Sequence, residues 1–165
     1  GGLLMLTLPR LVRTWELVTE ERAAQAADAR GPAAFEERHG RGEFWKQLAR
    51  ARNFYGALPQ MPDAQRLFDA VKHLKPTILT GLPLGKWAAP QKERWAAEHF
   101  PGVPIITTMA RQKHLHMEKG DVLVDDKDKH RHLWEEAGGV FVHHKSARQS
   151  LALCFMEQEA VRSGL

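Results

Sequence analysis

A run of aliphatic residues that ends in two adjacent carboxylates, Gly120-Asp121-Val122-Leu123-Val124-Asp125-Asp126, constrains this chain more than any other stretch. Such a run reads as a buried parallel strand rather than a half-solvated one. The residues that follow carry Leu133, Trp134 and Ala137 and stop at Gly138-Gly139, the pattern of a helix and its end. In open α/β sheets, ligands sit just beyond the carboxyl ends of the strands. Side chains alternate along a strand, so Asp125 and Asp126 cannot face the same ligand. Asp125 is read as facing a cation or phosphate, and Asp126 or Asp128 as serving the helix N-terminus. The competing reading makes all three acids caps and solvent contacts.

A second buried run, Pro76-Thr77-Ile78-Leu79-Thr80-Gly81-Leu82-Pro83, ends in a hydroxyl and a glycine. Between the two lies Gln91-Lys92-Glu93-Arg94-Trp95, which opens an apolar-periodic helix. Thr-Gly after one strand, Lys on the next helix and Asp-Asp after a later strand form an ordered set. That set resembles motifs two, three and four of the haloacid dehalogenase (HAD) superfamily of phosphohydrolases. It looks most like the 5′(3′)-deoxyribonucleotidase-like branch, over roughly residues 35 to 150.

The resemblance implies a HAD-like doubly wound parallel sheet within one domain, residues 1–165, carrying a small helical cap insert at 33–62. Such a cap closes over the site and selects substrate. The implied activity is hydrolysis of (deoxy)nucleoside monophosphates, so the implied partner is a phosphorylated small molecule such as a nucleotide. The Thr80 hydroxyl and Gly81 N–H would meet the phosphate, Lys92 would supply countercharge, and Asp125 would bind Mg²⁺, which favours oxygen ligands and retained waters. Lys92 and Asp126 are the catalytic candidates. The family's nucleophile is an aspartate at the end of the first strand, which forms an aspartyl-phosphate.

That first motif, Asp-x-Asp-Gly, is missing. The best-fitting register reads Leu6-Thr7-Leu8-Pro9, and no aspartate precedes Asp28. Leucine can neither attack phosphorus nor bind a metal. In the resembled fold the first strand lies between those ending at Thr80 and Asp125, and leaving that slot empty would strand backbone groups on two buried edges. Residues 3–8 are the apolar run expected to fill it. Three readings follow: an impaired phosphohydrolase scaffold, a noncatalytic phosphate- or nucleotide-binding protein, and an unrelated flavodoxin-like or response-regulator-like interaction domain.

The whole chain bounds these readings. At 165 residues it is long enough to bury a core, and 43% hydrophobic with 27% charged residues is ordinary for a globular protein. Lys and Arg outnumber Asp and Glu by 24 to 20, but no basic block stands out, which argues against nucleic acid as the main partner. The single cysteine, Cys154, excludes an internal disulfide and fits a reducing compartment. No apolar run reaches the ~18 residues of a membrane span, and Leu3 to Leu8 is too short for a secretory signal. A cytoplasmic protein without membrane contact is expected.

Along the chain, the pattern predicts a helix over residues 10–29, two short helices over 33–51 broken at Gly40-Arg41-Gly42, and a helix capped by Asp63. Strands are expected at 3–8, 77–80, 103–107, 121–125 and 139–142, helix or loop at 109–119, and a last amphipathic helix from Ser146 to about Val161. Phe44, Trp45, Phe54 and Tyr55 are candidates for stacking on a nucleobase, against a more ordinary role as core. The pairs His114/His116 and His130/His132 are spaced by two, which suits no shared helix face, and adjacent His143 and His144 point apart on a strand. A zinc site is therefore not expected.

Overall fold

Two parallel strand pairs organise the molecule, and each pairs a strand carrying predicted site residues with the next strand in sequence. The computed structural model describes the backbone of residues 37–61 and 63–162, the side chains of 37–61 and 63–156, and the backbone of four short strands within residues 2–18. Strand β5 (Ile78–Leu82) runs parallel to β6 (Ile105–Met109), with Thr80 opposite Thr107. Strand β7 (Val122–Asp125) runs parallel to β8 (Val140–His143), with Asp125 opposite His143. The expected strands at 77–80, 103–107, 121–125 and 139–142 all exist, with ends shifted by one or two residues.

Residues 3–8, expected as one central strand, instead form two. Strands β1 (Gly2–Leu3) and β2 (Leu6–Leu8) pair antiparallel with β4 (Glu16–Val18) and β3 (Leu11–Arg13) respectively. The helix predicted from residue 10 is therefore replaced by strand over 11–13 and 16–18. Val12 and Val18 are β-branched and suit a pleated surface, and the partners in residues 2–8 satisfy their backbone groups. The β2–β3 pair lies against both β5 and β7. Among the described residues no strand bonds the two parallel pairs into one sheet, so the expected continuous doubly wound sheet is not seen. The architecture is mixed α/β with short parallel pairs and helices. Residues 19–36, which hold the rest of the predicted helix and the start of the predicted insert, lie outside the described residues.

Within the 33–62 segment, a turn of helix at 37–39 ends at Gly40, whose φ of 79° is a conformation glycine adopts freely. Helix α1 (Arg41–Arg50) follows and buries Phe44 and Leu48, with Trp45, Phe54 and Trp87 packed against them. A single 3₁₀ turn, Tyr55–Ala57, leads toward helix α2 (Ala64–Val71). Trp95 of helix α3 (Ala88–His99) donates its indole N–H to the Leu58 carbonyl at 2.7 Å, tying this segment to the body of the fold.

Asp63 stands at the N-terminus of α2 as predicted, yet its side chain does not cap that helix. Its Oδ2 accepts the Ala147 N–H at 2.7 Å, at the start of helix α5 (Ala147–Arg162). A carboxylate meeting a free helical N–H is favourable wherever it comes from.

Helices α2, α3 and α5, with α4 (Arg131–Glu136), close a single core with both strand pairs. Its largest fully buried side chains include Trp134, Phe100, Leu67, Ile78 and Leu79. Trp134 sits on α4, donates its indole N–H to the Asp121 carbonyl at 3.2 Å, and occupies the space a side chain at Gly139 would need. No helix among the described residues is long and apolar enough to cross a membrane.

Candidate functional site

The carboxyl ends of β5 and β7 open into a cleft of about 220 Å³. Gly81, Lys92 and Asp125, predicted from three separated motifs, all line it. Thr80 lies immediately behind, fully buried, with its hydroxyl accepting from Lys92 Nζ at 3.1 Å. Lys92 Nζ also donates to the Gly81 carbonyl at 2.7 Å and sits 4.3 Å over the Tyr55 ring. Lys92 is buried on α3. Its position follows from the helix phase: Gln91, Lys92, Trp95 and Ala96 form the buried stripe of α3. Gly81 allows a close approach, since a Cβ there would stand 3.2 Å from the Ala110 Cβ.

Asp125 is buried at the end of β7, and both of its oxygens are engaged. Oδ2 takes the ammonium of Lys113 at 2.8 Å, and Oδ1 accepts the Lys127 N–H at 3.1 Å. Lys113 comes from the 3₁₀ segment Ala110–His116, the stretch predicted only as helix or loop. Asp126 does not line the cleft; its carbonyl oxygen meets His143 Nε2 at 2.9 Å. Strand alternation accounts for this separation, and it leaves Asp125 alone as the carboxylate of the cleft among the described residues.

Sequence reasoning missed most of the remaining lining. Arg41, Lys113, Lys127 and Lys129 join Lys92, so among the described residues five cationic side chains surround one carboxylate. Lys127 and Lys129 share the turn after β7 and the others come from separate segments, which is why no basic block announced them. His114 and His130 add two imidazoles. His130 is held below its ordinary value, chiefly by burial and then by nearby Lys129, His132 and Lys113, while Asp125 pulls the other way.

Of the four aromatic candidates for stacking, Phe44 is core. Phe54 packs edge-on against Tyr55, and Tyr55 has one neighbour stacked at 5.4 Å (Trp87) as well as the Lys92 ammonium over its ring. Trp45, half-buried beside Phe44, lines the cleft and is the candidate that remains.

The expected Mg²⁺ fits this donor set poorly. Mg²⁺ calls for near-octahedral oxygen ligation, whereas the cleft offers one carboxylate whose oxygens already hold an ammonium and an amide. Among the described residues, no three His, Cys, Asp or Glu side chains converge as ligands. What the arrangement can do is bind an anion: the held ammonium groups of Lys92 and Lys113, with further cations at the rim of a partly enclosed cleft, favour phosphate, sulfate or carboxylate. Comparisons with protein-family models, curated proteins and solved structures found no match to this chain.

Proposed function

We propose that this chain is a HAD-like scaffold whose cleft holds the phosphate of a phosphorylated small molecule such as a (deoxy)nucleoside monophosphate, and that it hydrolyses such esters slowly or not at all. The observation that carries the reading is the gathering of Gly81, Lys92, Lys113 and Lys127 around the carboxyl ends of two parallel strands. An anion there meets the ammonium groups of Lys92 and Lys113 already held by neighbours, so little of their side-chain freedom is lost on binding. Trp45 offers a flat apolar face at the same cleft for a base.

Weak catalysis follows from the chemistry of the residues. A covalent phosphoryl transfer needs an attacking carboxylate. Asp125 is tied to Lys113 and the Lys127 amide, and residues 6–8 are Leu-Thr-Leu. Positioning and electrostatics would remain, and these assist only attack by water. The test is release of inorganic phosphate from deoxynucleoside monophosphates by the unmodified chain and by a Leu6→Asp, Leu8→Asp double variant. Little or no release by the unmodified chain is expected, and turnover gained by the double variant would support the scaffold reading. Robust turnover by the unmodified chain would refute it. The alternative, a binding protein that never had a hydrolytic role, is favoured by the occupied state of Asp125 and predicts silence from both proteins.

A further inference from the structure

Lys113 and Asp125 form an internal ion pair in the middle of an otherwise cationic cleft. Their side chains are 8% and 6% exposed and their charged atoms stand 2.8 Å apart. We infer that the Lys113 ammonium stands in for a divalent cation beside Asp125, so that the cleft binds its oxyanion without metal. This rests on the phosphate-binding reading above and adds how the charge is supplied.

Coordination distances make the two cations mutually exclusive. Mg²⁺ approaches a carboxylate oxygen to about 2.1 Å and needs further oxygens in octahedral array. At Oδ2 it would enter the space next to an ammonium already bonded there, and like charges at such separation repel strongly in a poorly solvated site. At Oδ1 it would displace the Lys127 N–H, which holds the turn after β7. Among the described residues, the cleft's other lysines and arginine, Arg41, Lys92, Lys127 and Lys129, are cations and cannot ligate a metal while protonated.

An ammonium at this place does the electrostatic part of a metal's work. It has three donors, of which Asp125 takes one, and Lys113 lines the cleft. The remaining donors are available to an oxyanion in a charge-assisted bond. Asp125 then acts as a positioning residue: it fixes Lys113 and touches no ligand.

The experiment is calorimetric titration of the whole chain with inorganic phosphate, once in EDTA and once in excess Mg²⁺, with Asp125→Asn as the discriminating variant. Equal affinity in the two buffers is expected. Asp125→Asn should also bind with equal affinity in the two buffers, because no metal bridges Asp125 to the anion, and about tenfold more weakly than the parent as Lys113 loses its anchor. Lys113→Met should bind weakly in both buffers, and circular dichroism reports whether it remains folded; Asp125→Asn, nearly isosteric, carries the test if it does not. Mn²⁺ alone, followed by its electron paramagnetic resonance signal, should stay free in the presence of the protein. Binding that requires Mg²⁺, or Mn²⁺ uptake that is lost in Asp125→Asn, would each overturn the inference and leave the phosphate reading standing. No phosphate binding in either buffer would remove both.

Discussion

Lys92 Nζ donates to the buried Thr80 hydroxyl across 3.1 Å, which joins a helix to the strand before it at the floor of the cleft. The same ammonium bonds the Gly81 carbonyl at 2.7 Å, so its position is fixed before any ligand arrives. Thr80→Val keeps the shape and removes the acceptor, and phosphate affinity should fall by about tenfold as Lys92 loses its alignment. Lys92→Met removes a charged donor and should cost roughly 10- to 100-fold. Isothermal titration with phosphate checks both, and a Lys92→Met protein that binds as well as the parent would exclude this ammonium from the site.

The convergence of Thr80, Lys92 and Asp125 was legible because each belongs to a strong local pattern. Two buried strands and one amphipathic helix carry them, and parallel pairing puts strand ends at one edge. Lys113 was not legible. It lies in a 3₁₀ segment without clear periodicity, and its significance comes from a partner twelve residues away. Strands β3 and β4 were misread as helix because the spacing of Leu11 and Val18 also suits a helical stripe; antiparallel pairing with residues 2–8 decided the matter. Tyr55 was legible as an aromatic but not as the ring under Lys92, because only the fold brings α3 to that turn.

Asp63 binds the first turn of α5 rather than of α2, a choice that local sequence cannot reveal across 84 positions. Asp63→Ala should therefore cost about 1–2 kcal/mol, as for other helix caps, and should loosen α5. Hydrogen exchange at Ala147 and the amides that follow it reads this directly. Faster exchange in α2 with α5 unchanged would contradict the contact.

The Lys113–Asp125 pair predicts a non-additive double-mutant cycle. Lys113→Met leaves a buried carboxylate without its charged partner and should destabilise the fold by about 3–5 kcal/mol. Asp125→Leu should cost a similar amount by stranding the ammonium. The double variant removes both charges and should recover most of the loss, since apolar replacements of buried pairs are often neutral. Urea unfolding measures all three, and additive costs would mean the pair is not coupled.

His130 supplies a pH dependence of defined sign. Burial and the neighbouring Lys129, His132 and Lys113 hold it below the ordinary 6.5, with Asp125 opposing. Below that pH the folded state binds fewer protons at this site than the unfolded chain does, so acid favours unfolding. The stability linked to His130 is whole above about pH 6.5 and is lost as pH falls through its lowered value. The Tm of the parent minus that of His130→Asn should be constant at higher pH and decline on acidification below 6.5. A difference that rises on acidification would reverse the assignment.

The phosphate group itself is the recognition element in this account, with Lys92, Lys113 and Lys127 at the strand ends as its cradle. Titration calorimetry with a deoxynucleoside monophosphate, against the same nucleoside lacking the phosphate, tests that most directly. The monophosphate should bind, and the nucleoside should bind at least about tenfold more weakly, the difference expected for one charge-assisted bond or more. Equal affinity for the two, or no binding of the monophosphate, would contradict it.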